Sequence, residues 1–210
     1  YEPLIELWYS VLHEPPREGP SAKQALREVA TALVNHCVSP RTGHFCMLRT
    51  PDSFHDDRML VAWAGVLQIA RPLLLAGHTI KDNHLITVAE DAVDAVVAGA
   101  INSDSGLFHE TFTGDSWVGN VWWPGLGHPA LVSGHACYLL LQMAETVGER
   151  ASSWVDAARQ VVTAAVQHQR TDGRLPHGFS PLDGSPQEWR GFGGCFFVAP
   201  MLAMARIDEN

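Results

Sequence analysis

The chain has 210 residues, 46% of them hydrophobic, and a formal net charge of −9. This length and apolar content support one domain with a full core, and the acidic balance, with no basic stripe, excludes a nucleic-acid partner. Cys37, Cys46, Cys137 and Cys195 form no CxxC pair and read as buried free thiols rather than a disulfide framework.

The chain begins at Tyr1 with no visible targeting segment, and the expected location is the cytoplasm. The stretch PLIELWYSVLH is a first short apolar helix. Ser21 followed by Gln24 is a capping-box start. It opens an amphipathic helix whose stripe is Leu26, Val29, Ala30, Leu33, Val34 and Cys37. The same i, i+3, i+4 spacing returns at Ala89, Ala92, Val93, Val96, Val97 and Ala100. It returns again at Trp154, Val155, Ala158, Val161, Val162, Ala165 and Val166.

Each stripe is followed by a glycine and an apolar residue, in SPRTGHF, NSDSGLF and QRTDGRL. The glycines Gly43, Gly106 and Gly173 recur at about 65 residues, close to a helical hairpin with one long loop. Glycine suits a helix C-terminus because it reaches positive φ, so these units read as the ends of the amphipathic helices. Short strands around Leu107 to Phe112 fit between them.

After each polar loop comes a helix apolar nearly all round: Asp57 to Ala76, His128 to Val147, and Gly194 to Ile207. Such helices are surrounded by protein. Pro200 should kink or delay the last one. The run from Leu60 to Leu75 contains Gln68, Arg71 and Pro72 and is too short and interrupted to span a bilayer. Amphipathic outer helices alternating with buried inner ones predict an all-α fold, an α/α toroid. The chain reads as a single domain over residues 1–210, or the C-terminal part of one. About three and a half hairpins are present. Residues upstream of Tyr1, or a partner chain, are expected to cover the open flanks.

The long loops join outer to inner helices and therefore gather at one end, where function is expected. FHDDRM supplies Asp56 and Asp57, and the next loops supply His109, Glu110, His177 and Glu188. Adjacent carboxylates at a helix start also serve as ordinary caps. In a catalytic role, one of Asp56 and Asp57 is the acid and Glu110 or Glu188 the second carboxylate of glycosidic hydrolysis. Trp117, Asn120, Trp122, Trp123, His128, Trp189 and Arg190 line the same loops, and indole faces suit the apolar faces of sugar rings. No cofactor is expected on this reading. An alternative is a zinc site from His135, Cys137 and Cys195, a Cys/Cys/His set with an open position. GFGG at Gly191 to Gly194 lacks a preceding strand and a lysine and reads as a tight lead-in to the last inner helix.

The three helix-end units and SGHACYLLLQMAETVGE resemble the six-hairpin (α/α)-toroid enzymes that act on carbohydrates, among them unsaturated glucuronyl hydrolases and N-acylglucosamine 2-epimerases. The resemblance implies a carbohydrate substrate and glycoside hydrolase chemistry, with a lyase or epimerase as the alternative. NVWWPGLGHPAL, DGRLPHG and EWRGFGG are similar in layout to toroidal polysaccharide lyases, where Asn120, Trp122, Trp123 and His177 would match and Trp189 or Phe192 stands at the tyrosine position. GLGHPALVSGHACYLL and GFGGCFF faintly resemble zinc-dependent lanthipeptide cyclases, and QRTDG a class II terpene cyclase repeat. A non-catalytic helical-repeat scaffold is the last alternative.

Overall fold

The structure is a computed structural model and describes residues 21–38, 45, 61–112, 116–118 and 127–209. The leading stretch PLIELWYSVLH lies outside these residues. Six α-helices are present among them: α1 (Ala22–Cys37), α2 (Trp63–Ile80), α3 (Asn83–Gly99), α4 (Ala130–Val147), α5 (Ser152–Val166) and α6 (Val198–Asp208). The inner row is α2, α4 and α6, with α2 on α4 and α4 on α6; the outer row is α1, α3 and α5. Two outer helices pack beside the inner helices joined to them by short links: α3 on α2, and α5 on α4.

Helix ends follow local chemistry. The Ser21 hydroxyl accepts the Gln24 N–H at 3.2 Å. The return bond of the capping box is replaced, because the Gln24 side chain donates to Glu28 one turn on. Between α2 and α3 the link is only Lys81 and Asp82. Lys81 takes φ 58°, and the Asp82 carboxylate caps α3 by accepting from His84 and Leu85 N–H. Helix α2 begins later than expected and passes through Pro72 to Ile80. No described helix is long and apolar enough to cross a membrane.

The expected stripes of α3 and α5 are largely the buried faces, with Ala89, Ala92, Val93 and Val96 on one and Trp154, Ala158, Val161, Val162 and Ala165 on the other; Leu85 and Ala157 join them, while Val97, Val155 and Val166 are half-buried. Helix α4 is buried almost all round, as its composition requires. Two expectations fail. Helix α1 buries only Ala30 and exposes Leu26 and Val29. Helix α6 buries only Pro200, and Val198 and Leu202 are 54% and 59% exposed. Both lie at the ends of their rows, where one flank has no neighbouring described helix. Pro200 does delay α6: a 3-10 segment, Gly193–Phe197, precedes it, and the proline falls in the first turn, where its missing N–H has no partner to lose.

Of the repeated glycines, Gly43 lies outside the described residues, and Gly106 and Gly173 have the expected positive φ, at 69° and 85°, but they do not end the helices. Helix α3 stops at Gly99, and Gly106 sits in a reversal that brings Ile101 back to Phe108. The same bridge joins Val38 to Phe45. It delivers Phe45 and Phe108 to the core with no exposed surface, each worth roughly 1.5–3 kcal/mol of apolar burial. The unit seen in the sequence is therefore a loop anchor placed just beyond the helix.

Two small antiparallel sheets stitch consecutive loops together. Strands β1 (Val61–Ala62), β2 (Thr111–Phe112) and β3 (Trp117–Val118) join the first loop to the second. Strands β4 (His128–Pro129), β5 (Gly178–Phe179) and β6 (Pro186–Glu188) join the second to the third. The long loops thus share one end of the helical layer.

Gly134 shows how closely the inner row packs. A Cβ there would lie 2.6 Å from the carbonyl carbon of Phe196. Gly134→Ala is expected to destabilise by about 1–3 kcal/mol through overpacking, despite alanine's better helix propensity. A lower melting temperature checks this; a higher one would deny the close approach.

Candidate functional site

The second loop folds back over the start of α4 and is held there by polar side chains. The Asn102 carboxamide oxygen accepts the N–H groups of Asp104 and Ser105, both at 2.8 Å. The Phe108 N–H donates to Ser133 on α4 at 3.1 Å, and the His109 N–H to the Ala100 carbonyl at 2.7 Å. This path sets His109 beside β4, whose first residue is His128, with Glu110 next in the chain. The His109 and His128 rings meet edge to face with centroids 5.1 Å apart. Ser105 Oγ lies 3.1 Å from His128 Nδ1.

Three side chains here keep a buried polar atom with no hydrogen-bond partner among the described residues: His109 Nδ1, Glu110 Oε2 and His128 Nε2. Such atoms are costly to bury and cluster where a ligand supplies the missing partner. Burial holds the Glu110 carboxyl above the usual carboxylate range. Burial pushes the His109 imidazole down. His128 is lowered to about 4, first by burial and then by the neighbouring His109. The loop therefore carries a pair of imidazoles biased toward their neutral forms and, next in sequence to His109, a carboxyl biased toward its protonated form.

The third loop is built differently. His177 N–H donates to the Glu188 carbonyl at 2.7 Å, and its own carbonyl accepts from Ala130 at the start of α4. His177 Nδ1 accepts the Gly193 N–H at 3.0 Å. A Cβ on Gly193 would lie 2.3 Å from that nitrogen, so GFGG is a close backbone approach, as its reading as a lead-in required. Glu188 Oε1 accepts the Arg190 and Trp189 N–H groups at 2.6 and 2.8 Å, which hold the carboxyl below its ordinary range, the Arg190 bond foremost. In the sheet register, Glu188 shares a row with Gly178 and Pro129, whereas His128 pairs with Phe179 in the next row. A bulge between Gly178 and Phe179 breaks the regular alternation between these rows.

The aromatic candidates divide. Trp189 is covered by the Arg170 guanidinium, 3.7 Å above its ring. Trp117 packs on the end of α3: a Cβ on Gly99 would lie 2.7 Å from its indole nitrogen. Arg190 is exposed. Asp56, Asp57, Asn120, Trp122 and Trp123 lie outside the described residues.

His135, Cys137 and Cys195 do not converge. The His135 imidazole meets the Gln68 side chain of α2 at 3.1 Å. Cys137, two residues on and fully buried, turns its thiol to the Ala158 carbonyl of α5 at 3.7 Å. Two residues in a helix point about 200° apart, which separates these side chains. Cys195 is exposed, a correction to its reading as a buried thiol. Among the described residues no three His, Cys, Asp or Glu side chains gather as metal ligands.

Sequence reading missed Ser105, Ser133 and Gln68. Ser105 carried a signal, since it lies beside the repeated Gly106. Gln68 carried another, a polar residue in an apolar helix, noted only as an interruption. Gln68 and His135 each stand sixth in their helices, which places them at matching repeat positions.

No protein-family model matches the sequence, and no curated protein is similar in sequence. Solved structures do match. An unsaturated glucuronyl hydrolase from Bacillus sp. GL1 is similar over 90% of this chain and 51% of its own, at 15% identity and TM-score 0.67. A cellobiose 2-epimerase from Spirochaeta thermophila is similar over 91% of this chain and 48% of its own, at 15% identity and TM-score 0.61. A polysaccharide lyase is similar over 70% and 42%, at 14% identity and TM-score 0.53. The fold is the α/α toroid. The chain spans about half the length of the solved structures it matches.

Proposed function

We propose that this chain belongs to an enzyme that acts on a carbohydrate and cleaves a glycosidic bond, with Glu110 as proton donor. The observation that carries this reading is the buried Glu110 carboxyl with an unpartnered oxygen, in the loop that also brings His109 onto His128. Breaking a glycosidic bond requires a carboxylic acid to protonate the leaving oxygen and a second carboxylate on the other side of the sugar. A carboxyl whose pKa is raised by burial suits the first role. Asp56 or Asp57 takes the second in this proposal, reversing the assignment drawn from the sequence. Pairing of Ala62 with Thr111, the residue after Glu110, supports it by joining the loop of FHDDRM to that of Glu110. Glu188 is set aside because its carboxylate is occupied by backbone amides.

A second reading has its own support. Two neutral imidazoles 5.1 Å apart are equipped to move a proton at a sugar carbon, as a lyase or epimerase requires. One experiment separates the readings. The protein is titrated with neutral and uronic-acid oligosaccharides, followed by tryptophan fluorescence and then by product analysis. Saturable quenching with new reducing ends and no unsaturated product is expected. An unsaturated or epimerised product selects the second reading, and no response to any sugar overturns both.

A further inference from the structure

His128 is fully buried at the start of β4, yet only one of its ring nitrogens is satisfied among the described residues. Its partner, the Ser105 hydroxyl, is itself nearly buried. That hydroxyl already accepts the Leu107 N–H at 3.2 Å. A serine oxygen carries one hydrogen to donate and two lone pairs to accept with. Were His128 Nδ1 protonated, Ser105 would accept twice and its own hydrogen would need a third partner; the hydrogen bonds among the described residues offer none. If the hydroxyl donates to Nδ1 instead, Ser105 is satisfied by the two contacts present, and the imidazole proton resides on Nε2.

We infer that Ser105 is a positioning residue that locks His128 as its neutral Nε2–H tautomer, so that His128 serves as a hydrogen-bond donor to a ligand oxygen rather than as a base. The locked nitrogen is the buried one without a partner, and an N–H in that setting calls for an acceptor. The other groups against the ring leave this unchanged: His109 presents an edge-to-face ring, and Phe179 is the apolar residue opposite on β5. A sugar hydroxyl or ring oxygen supplies the acceptor. That identity rests on the carbohydrate reading above, whereas the tautomer does not.

The test uses the full chain labelled with 15N-histidine. Long-range proton–nitrogen correlation reads the tautomer of each ring, and the His128 signal is identified by its loss in His128→Gln. The expected result is a single Nε2–H tautomer for His128 in the unaltered protein. Ser105→Ala is expected to give a mixed tautomer and about tenfold weaker oligosaccharide binding, with Ser105→Thr restoring both. An Nδ1–H tautomer in the unaltered protein overturns the inference without need of any variant. So does a Ser105→Ala protein that keeps the Nε2–H state unchanged. An Nε2–H tautomer in a protein that binds no sugar upholds the lock and removes only the carbohydrate reading.

Discussion

Glu110→Gln is expected to leave a folded protein whose turnover has fallen by roughly two to four orders of magnitude, the usual contribution of a positioned general acid. Glutamine keeps the size and polarity of the side chain but cannot give up a proton to a leaving oxygen. Its effect on stability separates this role from a structural one. The pKa of Glu110 is raised by burial, so the folded state binds its proton more tightly than the unfolded state does. The stability it contributes is present below the unfolded carboxyl pKa and is lost as pH rises through the folded value. At neutral pH the charged carboxylate is thus a burden on the fold that glutamine removes. The variant should melt at or above the temperature of the unaltered protein at pH 7, and the difference should shrink toward pH 4. Retention of full turnover by Glu110→Gln would remove Glu110 from the chemistry. A large fall in melting temperature would reassign it to the structure of the second loop.

The fold itself should weaken on acidification through His128. Its pKa in the folded protein is about 4 against an ordinary 6.5, so the unfolded chain takes up this proton first. Stability from this group is complete above pH 6.5 and is lost as pH falls toward 4, with little further change below. The shift corresponds to on the order of 3 kcal/mol. His109, lowered in the same direction by burial, adds a loss of the same sign below pH 6.5. Asp172, Asp183 and Glu188, held below their ordinary values by hydrogen bonds, also lose stability as pH falls. Urea unfolding at pH 7, 5.5 and 4 reads the effect. His128→Gln should be less stable than the unaltered protein at pH 7 and show a shallower decline. Parallel declines in the two proteins would mean that His128 is hydrated and titrates normally.

The functional readings draw unevenly on the sequence. His109, Glu110 and His128 were all recognisable as candidates, because their polar side chains stand in loops between strongly apolar helices. Which of them act together was not recognisable. Ser105 and His128 are 23 residues apart, and Phe108 and Ser133 are 25 apart; neither separation belongs to a local period. Glu110 and Glu188 look equivalent in the sequence. They differ because one is buried with an unpartnered oxygen, while the other folds back onto the amides of the next two residues. His135 and Cys137 looked like neighbours in a metal set, and helix geometry turns them to different partners. That separation was available from the helix period itself.

The alternation of outer and inner helices was determined by the sequence alone, because a stripe recurring every 3.6 residues reports burial on one face, and an unbroken apolar run reports burial on all faces. The loop units were also visible, through glycines that the chain needs at positive φ. Only the tertiary structure decided that these glycines anchor loops beyond the helix ends, and that β4, β5 and β6 bind the second loop to the third. The physical reason is the same in each case. Helical periodicity arises from bonds between residues four apart, whereas the direction of a loop side chain depends on strand pairs and hydrogen bonds between distant residues, which no local pattern encodes.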